Sequence, residues 1–484
     1  MGRFGLIGGN YKSQSPNADC QQTVNWYPEK IESGSGKSSM VLYPCPGIST
    51  FATLTDSPIR ASLLINGRAF FVAGATLFEV LSDGTSTNRG TVASDGLPAT
   101  MASSATQFLI VSAGVTYYYV LATNVLTAAA GMLGTPSMCG FSDGYFIVLL
   151  KNTNQFQISG LLDASSWNAL DTAKVSVFPD NIVSMLVDHR EIWFFGLTKS
   201  VAYYNTGGVF PFSPVPSAFI EQGCGAQFTP CRMDNSLFWW GADERGAMVA
   251  WRANGYTPVR VSDHAIEYEV QGFATNSDAV SYSYQDQGHT FWVTRFPTAN
   301  VARVYDAATG MWHERSHLIN GVQQAHLSQN HIFAFGKHLV GDPTSGNIYQ
   351  QSISIYDDNG TPIRRVRRTP HISVENQWMF HSQVVIDLEA GLGLSSGQGS
   401  DPQVMLRWSD DGGHTWTNEH TVSAGKIGEY KRRAVFRRLG RSRDRVYEFA
   451  VSDPIPWRVI DGYLDAEPFY GVTERISSKL QKAS

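Results

Sequence analysis

At 484 residues the chain is long enough to bury a large core and to form two or more domains. Only 16% of it is charged and the net charge is −5, which excludes the composition of a free nucleic-acid binder. Aromatic residues make up 12% and glycines number 45. Thr-, Ser-, Val- and Tyr-rich segments lie between turn signals and long helical periodicity is missing, so the expectation is an all-β protein.

The charge is uneven. Residues 1–360 carry 19 basic and 27 acidic side chains, whereas 361–445 carry 14 and 9. No leader with a basic start and an apolar core opens the sequence, and no apolar run nears the ~20 residues of a membrane helix. The five cysteines (Cys20, Cys45, Cys139, Cys224, Cys231) are an odd, sparse set. Buried thiols in a chain that folds in a reducing cytoplasm are expected, with no disulfide framework.

Residues 1–51 read as an extended N-terminal arm, with NADCQQTVNWYPEK (17–30), a Ser/Gly linker (32–39) and VLYPCPGISTF (41–51). The Tyr27-Pro28 and Pro44-Cys45-Pro46-Gly47 steps favour extended or turn backbone. GSGKSS is not a phosphate loop, because Ile31 stands where that motif needs glycine.

From 52 to 360 a hairpin-like unit recurs without sequence identity. First strands are expected at Arg68–Val72, Gln107–Ser112, Tyr145–Leu150, Glu191–Phe195, Leu237–Trp240, Thr290–Thr294 and His331–Phe335. Most have a second strand close behind, as at Thr76–Val80, Thr116–Val120 and Gln155–Ile158. The steps between first strands run from 38 to 53 residues, one four-stranded propeller blade each. A β-propeller of six or seven blades is the reading. A pair of β-sandwiches is the rival, and it would not need so even a spacing.

Residues 361–470 read as a separate C-terminal β-sandwich-like domain, and 471–484 as a polar tail. Strands are expected at His381–Glu389, Val404–Trp408, Val446–Val451 and Trp457–Leu464. An Asp/Gly turn follows Trp408, with a second strand ending at Thr415-Trp416.

Three motifs bear on chemistry. His313-Glu314-Arg315-Ser316-His317 is a literal H-E-x-x-H, the zinc-protease signature, which needs both histidines on one helical face. Its surroundings read as strand, turn, strand, and residues four apart on a strand lie about 13 Å apart, too far to share a metal. No metal or other cofactor is expected.

The segment Ser409, Asp411, Gly413, Thr415, Trp416 fits the S-x-D-x-G-x-T-W Asp box. In sialidase-like propellers that turn is structural, and this copy is a single one outside the repeats. A hydrolase would also need a nucleophile and sugar-binding arginines, and no spacing singles these out.

The basic run comprises Lys431, Arg432, Arg433, Arg437, Arg438, Arg441, Arg443 and Arg445. It can dock an acidic partner or sister subunit, grip phosphates, or form a solvated face. Read as a strand, it puts arginines on both sides, and arginine's fork suits carboxylate pairing at an interface. Docking is the preferred reading.

The segments LRWSDDGGHTW, GKIGEYKRRAVFRRLG and RDRVYEFAVSDP, with the opening NADCQQTVNWYPEK and YPCPGISTF, resemble a family of short-tailed bacteriophage proteins. These are the packaged-DNA stabilisation proteins, also called tail hub or nozzle proteins. The resemblance implies a virion protein without an active site, assembled in the host bacterial cytoplasm. It implies a homo-oligomeric ring, usually a hexamer, below the portal and its adaptor. Such a ring extends the channel for genomic double-stranded DNA, retains the packaged genome until ejection, and anchors a tailspike, fibre or tail needle. The competing readings are a propeller that hydrolyses a glycan and one that only binds it.

Overall fold

The computed structural model describes residues 1–176, 180–242 and 247–468. Its architecture is all-β: a propeller and a C-terminal β-sandwich, with one helix, His264–Gln271, among the described residues. That eight-residue helix starts at Asp263, whose carboxylate accepts the Ile266 N–H at 2.9 Å. Sequence periodicity had not announced it. Among the described residues no helix is long and apolar enough to cross a membrane.

Six blades are each built from four consecutive antiparallel strands. They occupy residues 59–91, 100–128, 136–174, 182–220, 231–260 and 280–314, here blades 1 to 6. A seventh blade, the first four strands of a six-stranded sheet, closes the ring. It takes Asn330–Ala334, Lys337–Gly341 and Asn347–Ser352 from the far end of the propeller and Gly47–Thr53 from the N-terminal segment. Six of the seven expected first strands are the second strand of their blade, because the innermost strands carry weaker signals; His331–Phe335 overlaps Asn330–Ala334, the innermost strand of the seventh.

Alternation along each strand ties neighbouring blades together. Trp239 faces back to Phe195 of blade 4 (ring centroids 5.4 Å), while Trp240 faces forward to Trp292 of blade 6 (5.8 Å). Phe194 and Phe195 divide likewise, with Phe194 against Phe156 of blade 3 at 4.6 Å. Each such fully buried ring stabilises by roughly 2–3 kcal/mol, and the stack of blades is continuous.

The N-terminal arm is extended, as expected, but it is woven into both domains. Cys20–Val24 sits between the outer strand of blade 6 and Arg365–Arg368, so one eleven-stranded sheet runs from the propeller into the sandwich. Trp26–Lys30 and Met40–Pro44 join the opposing sheet, beside Val459–Pro468 and Met379–Leu388. Between the two sheets lies a core that includes Leu6, Trp26, Leu42, Ile386, Tyr447, Phe449, Val451 and Trp457.

Buried polar groups fasten this junction. Arg367, fully buried, donates to the carbonyls of Leu6 and Gly9, to Thr23 Oγ1 and to Gln21 Oε1. Gly8 makes room for it, since a Cβ there would lie 2.9 Å from the guanidinium. His289 of blade 6 bridges Asp306 and Glu29, which raises its pKa against the opposing effect of burial. Asn25 turns through φ +58 and spans the joint, donating to Ser316 Oγ and to the Arg364 carbonyl.

All five cysteines are free and buried. Burial pushes Cys139 and Cys231 up to about 12, and Cys20, Cys45 and Cys224 to about 11, so the thiols stay protonated and inert. The tail 471–484 lies outside the described residues.

Candidate assembly surface

The basic run is not one strand. Lys431, Arg432 and Arg433 lie in a turn, and only Ala434–Arg437 is extended, pairing with Gln383–Ile386 as the edge of its sheet. Arg438 then turns left-handed at φ +61, and Leu439 plugs the sandwich core. Arg441-Ser442 touches the same sheet again, and Arg445 begins the opposite sheet. The inference of arginines alternating across a strand therefore fails, because the chain bends twice within the run. The result is a basic rim around one edge of the sandwich, not two basic faces.

Arg432, Arg433, Arg437, Arg438, Arg441 and Arg443 are exposed. Arg441 and Arg443 flank the ring of Trp378 at 4.8 and 5.2 Å, and Trp378 is itself 37% exposed. Such a guanidinium pair around an indole holds two long side chains in place. Arginines on an edge strand also discourage pairing with a stray strand. Arg445 stands apart from the set. It is 1% exposed, its fork closes on Asp410 at 2.6 and 2.8 Å, and its guanidinium lies 5.1 Å from the Trp408 ring centroid. It is fully engaged inside the chain.

Asp410 is the second residue of the Asp box, between Ser409 and Asp411. Ser409 Oγ donates to Asp411 Oδ1 at 2.6 Å and accepts the Gly413 N–H at 2.8 Å. Asp411 also accepts from Thr415 N–H and Oγ1, and these bonds hold its carboxyl well below the usual range. Gly412 and Gly413 take φ +73 and +95, and the turn packs on Asn17 and Cys20 of the N-terminal segment. Trp416 donates to the Gly413 carbonyl and lies beneath Arg368 and Arg407, both paired with Glu448. The expected second strand ending at Trp416 is absent. The hairpin returns only at His420–Ser423, because the side-chain bonds of the box occupy the backbone that would have paired.

The H-E-x-x-H residues fall on two strands, Met311–Glu314 and Ser316–Ile319. His313 packs among Tyr27, Phe291 and other rings, and burial lowers its pKa to about 3. Glu314 pairs with Lys12 and Arg303, and His317 faces Asp358. The three side chains serve three different contacts and do not converge.

A cavity of about 290 Å³ is lined by Leu63, Met101, Cys139, Phe141, Met185 and Arg232 from the inner strands of blades 1 to 5. Sequence reasoning could not reveal this width, which depends on how side chains from five separate strands meet.

Residues 3–355 match the family model described as bacteriophage P22 Gp10, β-propeller, and residues 364–467 match the one described as bacteriophage P22 Gp10, β-sandwich. The chain belongs to the bacteriophage P22 Gp10 family. It is therefore a phage structural protein of the DNA-stabilisation kind, a virion component that assembles with other virion proteins. The two matches also agree with the fold class read from the sequence. No curated protein matches the chain.

Solved structures resemble it distantly. The extracellular domain of BT4673 from B. thetaiotaomicron is 10% identical with a TM-score of 0.45, covering 79% of this chain and 47% of that one. The N-terminal domain of Nup159 is 9% identical at 0.40, covering 68% and 98%. U3-55K is 8% identical at 0.39, covering 63% and 98%.

Proposed function

We propose that the protein is the tail hub or nozzle of a short-tailed phage, a non-enzymatic ring component below the portal and adaptor. The observation that carries the reading is the match of both domains to this phage family. The cavity among the inner strands of blades 1 to 5, about 290 Å³, is far smaller than a duplex needs, which favours passage elsewhere. A conduit for DNA in this family then lies between chains, which calls for a closed ring of several copies. Such rings need two unlike, complementary patches on each subunit. The exposed arginines of the sandwich edge and the net-acidic residues 1–360 supply a pair of that kind.

In this reading Arg432, Arg433, Arg437, Arg438, Arg441 and Arg443 make the ring or adaptor contact, and Arg445 holds the rim from behind. The acidic bulk of the chain keeps the channel from gripping phosphates as the genome passes. Tailspikes, fibres or a needle would attach elsewhere on the ring. Residues 1–51, 52–360 and 361–470 act as one mechanical unit, because the arm belongs to both larger parts.

The test is the native mass by light scattering, alone and mixed with the phage's portal–adaptor assembly. About six copies joining the connector is the expected result, and Arg437→Glu with Arg438→Glu should block it while leaving the fold intact. A chain that stays monomeric with the connector would overturn the reading. Normal attachment of the charge-reversed variant would overturn the assignment of the surface.

A further inference from the structure

Between blades 4 and 5, at the end of the propeller where each blade's first hairpin turns, lies a groove of about 690 Å³. Two of those hairpin turns form its rim, His189-Arg190 and Asp234-Asn235. Both residues of each are left-handed, at φ +47 and +65, and at +52 and +52. In blades 1, 3, 6 and 7 the matching turns are Asn66-Gly67, Asp143-Gly144, Gln287-Gly288 and Phe335-Gly336. A two-residue hairpin of this type needs positive φ twice, and glycine meets the second position without a Cβ penalty. Beside the groove the chain forgoes glycine and keeps side chains instead.

His189 and Asn235 line the gap, whereas Arg190 turns away to pair with Asp143 of blade 3 at 2.7 Å. His189 Nε2 lies 2.9 Å from Asn235 Oδ1, which joins the two turns across the blade boundary, and His189 Nδ1 lies 2.7 Å from Asp188. On the blade 5 side the Tyr256 hydroxyl donates to Glu191 at 2.5 Å, and its ring lies 5.8 Å from that of Trp193. Arg252 completes the wall, paired with Asp234 at 2.7 Å. Strained backbone retained at the mouth of a cleft is a mark of a binding site, where the side chains matter more than the turn's stability.

We propose that this groove binds a neutral, hydroxyl-rich ligand, a segment of oligosaccharide. Carboxylates, an amide and a guanidinium line the groove with both donors and acceptors, and Tyr256 offers an apolar edge for sugar C–H groups. Acidic and basic side chains are mixed around the groove, so neither a phosphate nor a polycation is favoured. The site lies on blades 4 and 5, whereas the sandwich joins blades 6 and 7, so the proposal stands apart from the ring reading.

The experiment is an array of bacterial surface oligosaccharides probed with the full chain, followed by calorimetry on the strongest hit. Glu191→Gln should weaken binding by about tenfold, one charge-assisted hydrogen bond's worth, with an unchanged melting temperature. Arg190→Gly with Asn235→Gly restores the glycine turns. It should raise the melting temperature while binding is lost, a combination that a merely structural role for these turns would not produce. No saccharide above background, or a hit that all of these variants bind equally well, would overturn the proposal. Displacement of the hit by a single-stranded oligonucleotide would overturn it too, in favour of nucleic acid.

Discussion

Replacing Arg367 by alanine should unfasten the N-terminal segment from the rest of the molecule. The guanidinium is fully buried and makes four hydrogen bonds of 2.6 to 3.0 Å, all to residues between Leu6 and Thr23. Bonds to a charged group contribute about 1.5–3 kcal/mol each, and losing the buried charge returns part of that, which leaves a net cost of about 4 kcal/mol. If the cost falls on local opening of the segment, amide exchange in Cys20–Val24 should speed up roughly a thousandfold, at ~1.4 kcal/mol per factor of ten. Arg367→Lys should lie between, since one ammonium cannot reach four acceptors set around a fork. Hydrogen exchange read by mass spectrometry makes the measurement on the intact chain. Unchanged protection of Cys20–Val24 in Arg367→Ala would refute the idea that this arginine fastens the segment.

Other outcomes follow from the same geometry. Arg445→Met should destabilise by about 2 kcal/mol in chemical denaturation, because it removes the bonds to Asp410 and the Leu439 carbonyl and a cation–π contact, whereas Arg441→Ala and Arg443→Ala should stay within ~0.5 kcal/mol. Equal costs at all three positions would contradict the separation of Arg445 from the exposed rim. Stability should fall as pH drops below about 6.5. Burial holds His313 and His331 at about 3 and His326 at about 4, so over that range the unfolded chain takes up protons that the fold refuses. His313→Phe, which suits its aromatic surroundings, should make that slope shallower by up to about 1.4 kcal/mol per pH unit. An identical slope in the variant would mean that His313 titrates freely. His289 works in the opposite sense: its raised pKa gives stability that is complete below the free value and fades as pH rises through the folded one. His289→Gln should therefore flatten the alkaline side of the profile.

The propeller was legible because hydrophobic second strands recur at blade spacing, and Tyr145–Leu150 and Gln107–Ser112 emerge with their expected ends. The innermost strands were not, since short stretches such as Cys231–Met233 carry too few residues to show a period. The arm was read as extended but not as paired, because its partners lie some 300 residues downstream and no local pattern records them. A boundary drawn at 51 even cuts the strand Gly47–Thr53. At the basic rim, residue type pointed to the right place. The two bends that sort Arg445 from its neighbours depend on Leu439 and on the left-handed Arg438, which spacing alone does not distinguish from a continuous strand.

The borrowed strand of the last sheet has a consequence for synthesis. Gly47–Thr53 leaves the ribosome early, yet its pairing partner Asn347–Ser352 follows about 300 residues later, roughly half a minute at ~10 residues per second. Through that interval the nascent chain exposes an unpaired strand and an open row of blades. Ring closure waits until residue 352 has been made, and a chain cut short anywhere before that would yield an arc that cannot shut. Completion of the propeller thus reports that synthesis has passed that point, with the sandwich still to follow.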